Sequence, residues 1–162
     1  MQLSDEGLAL LKDLEGVEAE PYRDSAGLWT IGAGHCLTKD ELSSGKILCG
    51  EETLRWKDGP LTDAQITALL AEDVSWSEAC VEACVHVQLT QNQYDSLVIF
   101  AYNIGPNAFR QSTLCRLLNT GDYEAIPDQL RRWTRAGGQV IRGLQVRRQR
   151  EIDHWKGDTT LA

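Results

Sequence analysis

The sequence predicts an α+β fold, mainly α. A small N-terminal β-hairpin lobe stands beside a larger helical lobe, with a cleft between them. Two observations carry this. A single turn-rich, hairpin-like stretch, EPYRDSAGLWTIGAGH, lies near the start, and helix-type caps and periodicity dominate from residue 62 onward. At 162 residues the chain fits one domain spanning 1–162. Its small lobe is expected at about 15–60, its helical lobe at about 1–14 and 61–162.

A first helix is expected over about 4–14. Ser4 can cap it, and Leu3 and Leu8 are spaced as a hydrophobic staple. Leu8, Leu11 and Leu14 share its inner face, and Gly16 ends it beside Glu15. Asp24-Ser25-Ala26-Gly27 then has turn chemistry between Tyr22 and Leu28, Trp29 and Ile31. Residues 36–60 read as irregular or as a poorly defined strand region, punctuated by Gly45, Gly50, Gly59 and Pro60. Thr62-x-x-Gln65 and Thr90-x-x-Gln93 are capping boxes, opening helices through about 83 and about Tyr102. Shorter helices are expected near 112–119, 123–135 and 143–155, separated by glycines.

Composition narrows the function. Hydrophobic content of 42% and charged content of 25% suit a globular protein. No apolar run approaches the roughly 18–20 residues that span a bilayer. The opening MQLSDEGLALLKDLEG places acids where a signal peptide needs bases, so no export signal is expected. The net charge of −8 argues against nucleic acid. It is uneven: residues 1–100 hold 6 Lys/Arg against 18 Asp/Glu, residues 101–162 hold 10 against 6. The C-terminal third therefore suits an anionic polymer better.

Two acids stand out by position. Glu15 sits at a helix C-terminus, where the dipole disfavours a second negative charge and so favours a protonated acid. Asp24 sits in a turn, a wetter setting. Two carboxyls in unlike environments are what divide acid from base in glycoside hydrolysis. Thr30 follows in the returning strand, where its hydroxyl could hold an attacking water.

The string Glu15-Gly16, Tyr22-Arg23-Asp24 and Gly27 to His35 resembles the catalytic signature of the phage lysozymes, glycoside hydrolase family 24. Glu15, eight residues, Asp24, five residues, Thr30 keep that family's spacing. LTQNQYDSLVIFAYNIG (89–105), FRQSTL (109–114) and RWTRAGG…GLQVRRQRE (132–151) resemble its helical lobe. The resemblance implies a monomeric endolysin that needs no cofactor. It would hydrolyse the β-1,4 bond between N-acetylmuramic acid and N-acetylglucosamine in peptidoglycan, for host lysis. Glu15 would be the acid, and Asp24, assisted by Thr30, the base or water-positioning group, with inversion at the anomeric carbon. It further implies a His35–Asp73 ion pair and an arginine reaching back to Glu15, for which Arg147 matches better than Arg148. The sugar-lining positions match Tyr102, Cys36, Ser112 or Thr113, and Gln129 only loosely. In the family's biology the enzyme accumulates in the host bacterial cytoplasm, and a holin admits it to the periplasm and wall. The alternatives are a lytic transglycosylase, which needs one acid only, and a non-catalytic peptidoglycan-binding module.

Five cysteines, Cys36, Cys49, Cys80, Cys84 and Cys115, form an odd set, read first as reduced core residues. A Cys36–Cys49 disulfide is the alternative in an oxidising periplasm. Cys80-x-x-x-Cys84 near His86 lacks a second cysteine pair, so no metal is expected. SAGLWTIGAG lacks the Lys-Ser/Thr ending of a phosphate loop.

Overall fold

The computed structural model of the chain describes residues 1–157. Two compact units emerge: one is Leu8–Ser75, the other Met1–Gly7 with the chain from Trp76 onward. Their limits fall inside two helices.

In the first unit, helix α1 (Asp5–Glu15) leads into strand β1 (Glu18–Arg23), which pairs antiparallel with β2 (Trp29–Gly32). The register sets Tyr22 opposite Thr30 and Arg23 opposite Trp29. Strand β3 (His35–Cys36) completes a three-stranded sheet, with Cys36 opposite Thr30. The stretch 36–60, expected to be irregular or poorly defined strand, holds a hairpin of β4 (Ile47–Cys49) and β5 (Glu52–Leu54) and, unforeseen, helix α2 (Lys39–Ser44). Short elements need little periodicity, but α2 does carry a local signal. Thr38 and Glu41 form a reciprocal capping box at its start. Ile47 and Leu54 are a buried cross-strand pair that anchors the hairpin.

Helix α3 (Asp63–Cys84) opens on the expected box, with Gln65 N donating to Thr62 Oγ1 (3.2 Å) and Thr62 N to Gln65 Oε1 (3.0 Å). Lys12 ties α1 to this end of α3 through Asp63 (2.5 Å) and Thr67 (3.0 Å).

The second unit is built on α4 (Gln91–Ile104), whose residues Tyr94 to Ala101 are all buried. Around it stand α5 (Pro106–Gln111), α6 (Thr113–Asn119), α7 (Ile126–Arg131), a small hairpin of β6 (Arg135–Ala136) and β7 (Gln139–Val140), and α8 (Arg142–Lys156). Helix α5 was not foreseen, though Pro106 stands at its first turn, where a missing N–H costs nothing. The helix expected over 123–135 is reduced to α7: it starts at Ile126, ends at Arg131, and the chain goes on into β6. The carbonyl of Trp133 accepts from Arg148 Nε (3.0 Å) instead of from a following helical turn.

Arg148 is 1% exposed and is a structural residue rather than a solvated charge. Its guanidinium lies 4.8 Å from the Phe100 ring centre and hydrogen-bonds Glu151 and Asn103. Phe100 in turn meets Phe109 and Trp133 edge to face. Arg147 Nε donates to the same Glu151 at 3.2 Å. The N-terminal residues are held by buried Asp95. It accepts from Ser4 N (3.1 Å), Ser4 Oγ and Gln91 (2.7 Å), with His154 Nε2 at 3.3 Å. Gly7 lies so close to Asp95 that a Cβ there would stand 2.8 Å from its Cγ.

All five cysteines are free thiols, Cys36 exposed and Cys49 buried. Among the described residues, no helix is long and apolar enough to cross a membrane, and no three His, Cys, Asp or Glu side chains are grouped to hold a metal ion.

Removing a charge from a buried pair strands its partner. Glu151→Ala leaves two arginines without their carboxylate and is expected to lower the unfolding free energy by about 3–5 kcal/mol, read by urea denaturation.

Candidate active site

The chain around Glu15 puts a carboxylate where a helix stops. Helix α1 ends at Glu15, and β1 begins three residues on. The side chain is half-buried and lies over Gly34 in the β2–β3 turn: a Cβ there would be 3.4 Å from Glu15 Oε2. Gly34 has φ +86°, so it provides both the left-handed turn and the room for the carboxylate.

Asp24 organises the turn between β1 and β2. Its Oδ1 accepts from the backbone N–H groups of Ala26 and Leu28, both at 2.9 Å. Its backbone N donates to Leu28 O and its carbonyl accepts from Gly27 N, again both at 2.9 Å. The turn thus folds around the carboxylate. Among the described residues no protein donor meets Oδ2, so one carboxylate oxygen stays available. Thr30 is buried, and its hydroxyl donates to Leu28 O (3.2 Å), which leaves its lone pairs to accept.

Tyr22 is a member of this group that the sequence reading passed over. It faces Thr30 across the strands, and its phenol pKa is raised by burial and by the charges of Glu18, Asp24 and Glu15. Its hydroxyl therefore stands within the field of both candidate carboxylates. Position between them in sequence was the available signal. Beside it, Arg23 lies over the half-exposed Trp29 ring at 4.7 Å.

Nδ1 of His35 lies 3.0 and 2.9 Å from the two oxygens of Asp73, and Nε2 lies 3.3 Å from Glu41 Oε2. Burial disfavours the imidazolium, but Asp73 and then Glu41 outweigh it, so the His35 pKa is raised. Glu41 is in turn lowered: burial opposes this, and the Thr38 hydrogen bonds and His35 overcome it.

Glu15, Asp24, Thr30, His35, Asp73 and Cys36 thus all fall in Leu8–Ser75, whereas Tyr102, Ser112, Gln129 and Arg147 belong to the other unit. There, Tyr102 stacks on Trp76 with ring centres 5.7 Å apart. Ser112 caps α6, donating to Phe109 O (2.7 Å) and accepting from Cys115 N (3.0 Å). Gln129 is buried at 8% exposure.

A carboxyl at a helix end and a second in a wet turn beside a hydroxyl are the parts that a glycoside hydrolase employs. The phage lysozyme family model matches residues 12–151. An endolysin of Acyrthosiphon pisum secondary endosymbiont phage 1 is 36% identical, covering 93% of this chain and 95% of that protein. A SAR-endolysin of Enterobacteria phage PA-2 is 37% identical, covering 88% and 78%. The structure of an endolysin from Escherichia coli O157:H7 phage FAHEc1 superposes with a TM-score of 0.79 at 32% identity, covering 98% and 96%. The chain belongs to the phage lysozyme family.

The His35 cluster sets a pH dependence. A raised folded-state pKa means that protonated His35 stabilises the fold. That contribution is complete below the unfolded value, about 6.5, and is lost as pH rises through the folded value. Unfolding free energy measured in urea from about pH 6 upward should therefore decline, and His35→Asn should flatten that decline. An unchanged slope in the variant would assign the dependence elsewhere.

Proposed function

We propose that this endolysin cleaves the β-1,4 bond between N-acetylmuramic acid and N-acetylglucosamine with Glu15, Asp24 and Thr30 as its working groups. The observation that carries the reading is the Asp24 turn. Two backbone N–H groups fix one carboxylate oxygen and leave the other to a water, beside the Thr30 hydroxyl.

In the proposed reaction Glu15 protonates the leaving glycosidic oxygen. Asp24 accepts a proton from a water that attacks the opposite face of the sugar, and Thr30 orients that water. The product is inverted at the anomeric carbon. The Tyr22 phenol, beside Thr30, completes the polar wall against which the water would be held. Tyr102, Cys36, Ser112 and Gln129 are the proposed sugar contacts. Among them Tyr102 can offer a ring to a sugar face, and Trp76 stacks against it. His35 and Asp73 support the fold around Glu15, Asp24 and Thr30, and Arg147 supports the other unit.

The proposal extends to biology. The enzyme would act as a monomer, accumulate in the host cytoplasm and meet the wall when a holin opens the membrane. Co-expression with a holin should then trigger lysis, whereas expression alone should not.

Positioned general acids contribute on the order of 10²–10⁴ in rate. Glu15→Gln, folded by circular dichroism, is expected to clear outer-membrane-stripped Gram-negative cells slower than wild type by about that factor. Equal clearing would remove Glu15 from the acid role. The wild-type products should carry new reducing ends. Anhydro-muramic ends would instead identify a transglycosylase, and binding without released fragments a non-catalytic module.

A further inference from the structure

An open pocket of about 300 Å³, which the glycosidase chemistry does not use, lies between the end of α3, α5 and α6. Two thiols, Cys84 and Cys115, line it, together with His86, Arg110, Arg116 and Asn119. Asn119 clamps the two segments together. Its Nδ2 donates to Cys84 O (2.8 Å), its Oδ1 accepts from His86 N (2.8 Å), and Nδ2 also lies 3.8 Å from Cys115 Sγ. Cys115 Sγ itself lies 3.5 Å from Cys84 O. The thiols differ in access: Cys84 is half-buried, Cys115 buried. Arg110 and Arg116 are exposed at the rim and give it positive charge.

We propose that this pocket is a thiol-oxidation site for an anionic small-molecule disulfide of the glutathione class, in which Cys84 reacts first and Cys115 resolves the adduct. The Cys84 thiolate attacks one sulfur of the bound disulfide. A mixed disulfide forms and one small thiolate leaves. The Cys115 thiolate then attacks Cys84 Sγ, the Cys84–Cys115 bond forms, and the second small thiolate leaves. Two protein thiols are oxidised and one disulfide is reduced to two thiols, which take up the two protons.

The order of reaction follows from access and acidity. Burial, with the charge of Cys84, pushes the Cys115 thiol up, so it is a poor first nucleophile. The arginines draw in the carboxylates of the oxidant. Cys80 is the competing partner. It hydrogen-bonds Cys84 from one turn earlier on α3, and its thiol is pushed up to about 11 by burial and its cysteine neighbours. Helix geometry keeps Cβ atoms at i and i+4 about 5–6 Å apart, beyond the roughly 3.5–4.5 Å a disulfide spans. Cys115 comes from a different helix and meets no such limit. Once formed, the bridge would tie the end of α3 to α6 covalently. None of this depends on the catalytic assignment.

The test uses the full reduced chain exposed to oxidised glutathione, followed by peptide mass mapping. The expected result is a Cys84–Cys115 linked peptide, lighter by two hydrogens than its two reduced parts together. Cys115→Ser should accumulate glutathione on Cys84. Arg110→Ala with Arg116→Ala should slow the reaction about tenfold with oxidised glutathione but not with uncharged hydroxyethyl disulfide. A Cys80–Cys84 peptide would overturn the choice of resolving thiol. A Cys84 thiol still free after the exposed Cys36 has reacted would overturn the site. Equal slowing with both oxidants would overturn the role of the arginines. The wild-type map decides the first two points whether or not the variants fold.

Discussion

Asp24 Oδ1 accepts two backbone N–H groups of its own turn, and the local geometry of the smaller unit follows from that contact. The turn it closes sets the β1–β2 register, which places Tyr22 opposite Thr30. The next pairing places Cys36 opposite Thr30 and brings His35 to the sheet edge, where Asp73 holds it. The β2–β3 turn that follows carries Gly34 under Glu15. One carboxylate therefore shapes the backbone on which the second is seated. A substitution at Asp24 acts on this backbone, so its kinetics must be read with its stability in hand.

The other unit uses charge differently. Arg148 and Glu151 are almost fully enclosed, and an enclosed ion pair is no strong source of stability by itself. Its value lies in direction. A guanidinium with five donors connects Glu151 on α8, Asn103 on α4 and the carbonyl of Trp133, while its flat face covers Phe100. An aliphatic side chain could fill the volume but could not specify those three partners. Asp95 does the same for the N-terminal residues, through Ser4, Gln91 and His154.

Much of this was legible in the sequence, where the signal is local. The Ser4 cap, with Gly7 N donating to Ser4 Oγ at 3.0 Å, and the boxes at Thr62 and Thr90 stand where their side-chain chemistry placed them. The Asp24 turn was readable for the same reason: an Asx turn is written in four consecutive residues. The mainly helical α+β class followed from those signals, and the chain's likeness to phage endolysin structures agrees with it. The segment 36–60 was not legible, because two three-residue strands and a six-residue helix give no measurable period. Its one marker, Thr38-x-x-Glu41, was overlooked. Arg147 and Arg148 could be read as solvated, since nothing in one sequence tells a buried arginine from an exposed one. Helix α7 is shorter than the expected 123–135: a turn held by Asp122 precedes it and it ends at Arg131, before Trp133, whose carbonyl meets Arg148. Tyr22 carries one local signal, its place between Glu15 and Asp24, but its facing with Thr30 comes from the strand register.

In the proposed reaction, a water held by Asp24 and Thr30 on the face opposite the leaving group makes one demand that no covalent route shares. Proton NMR of the sugar released in the first moments of peptidoglycan digestion, before mutarotation, reads the anomer directly. Direct displacement at a β-linkage predicts the α anomer first, with the β anomer appearing only as the two equilibrate. The β anomer first would mean double displacement through a glycosyl-enzyme, and would make Asp24 a nucleophile rather than the holder of a water.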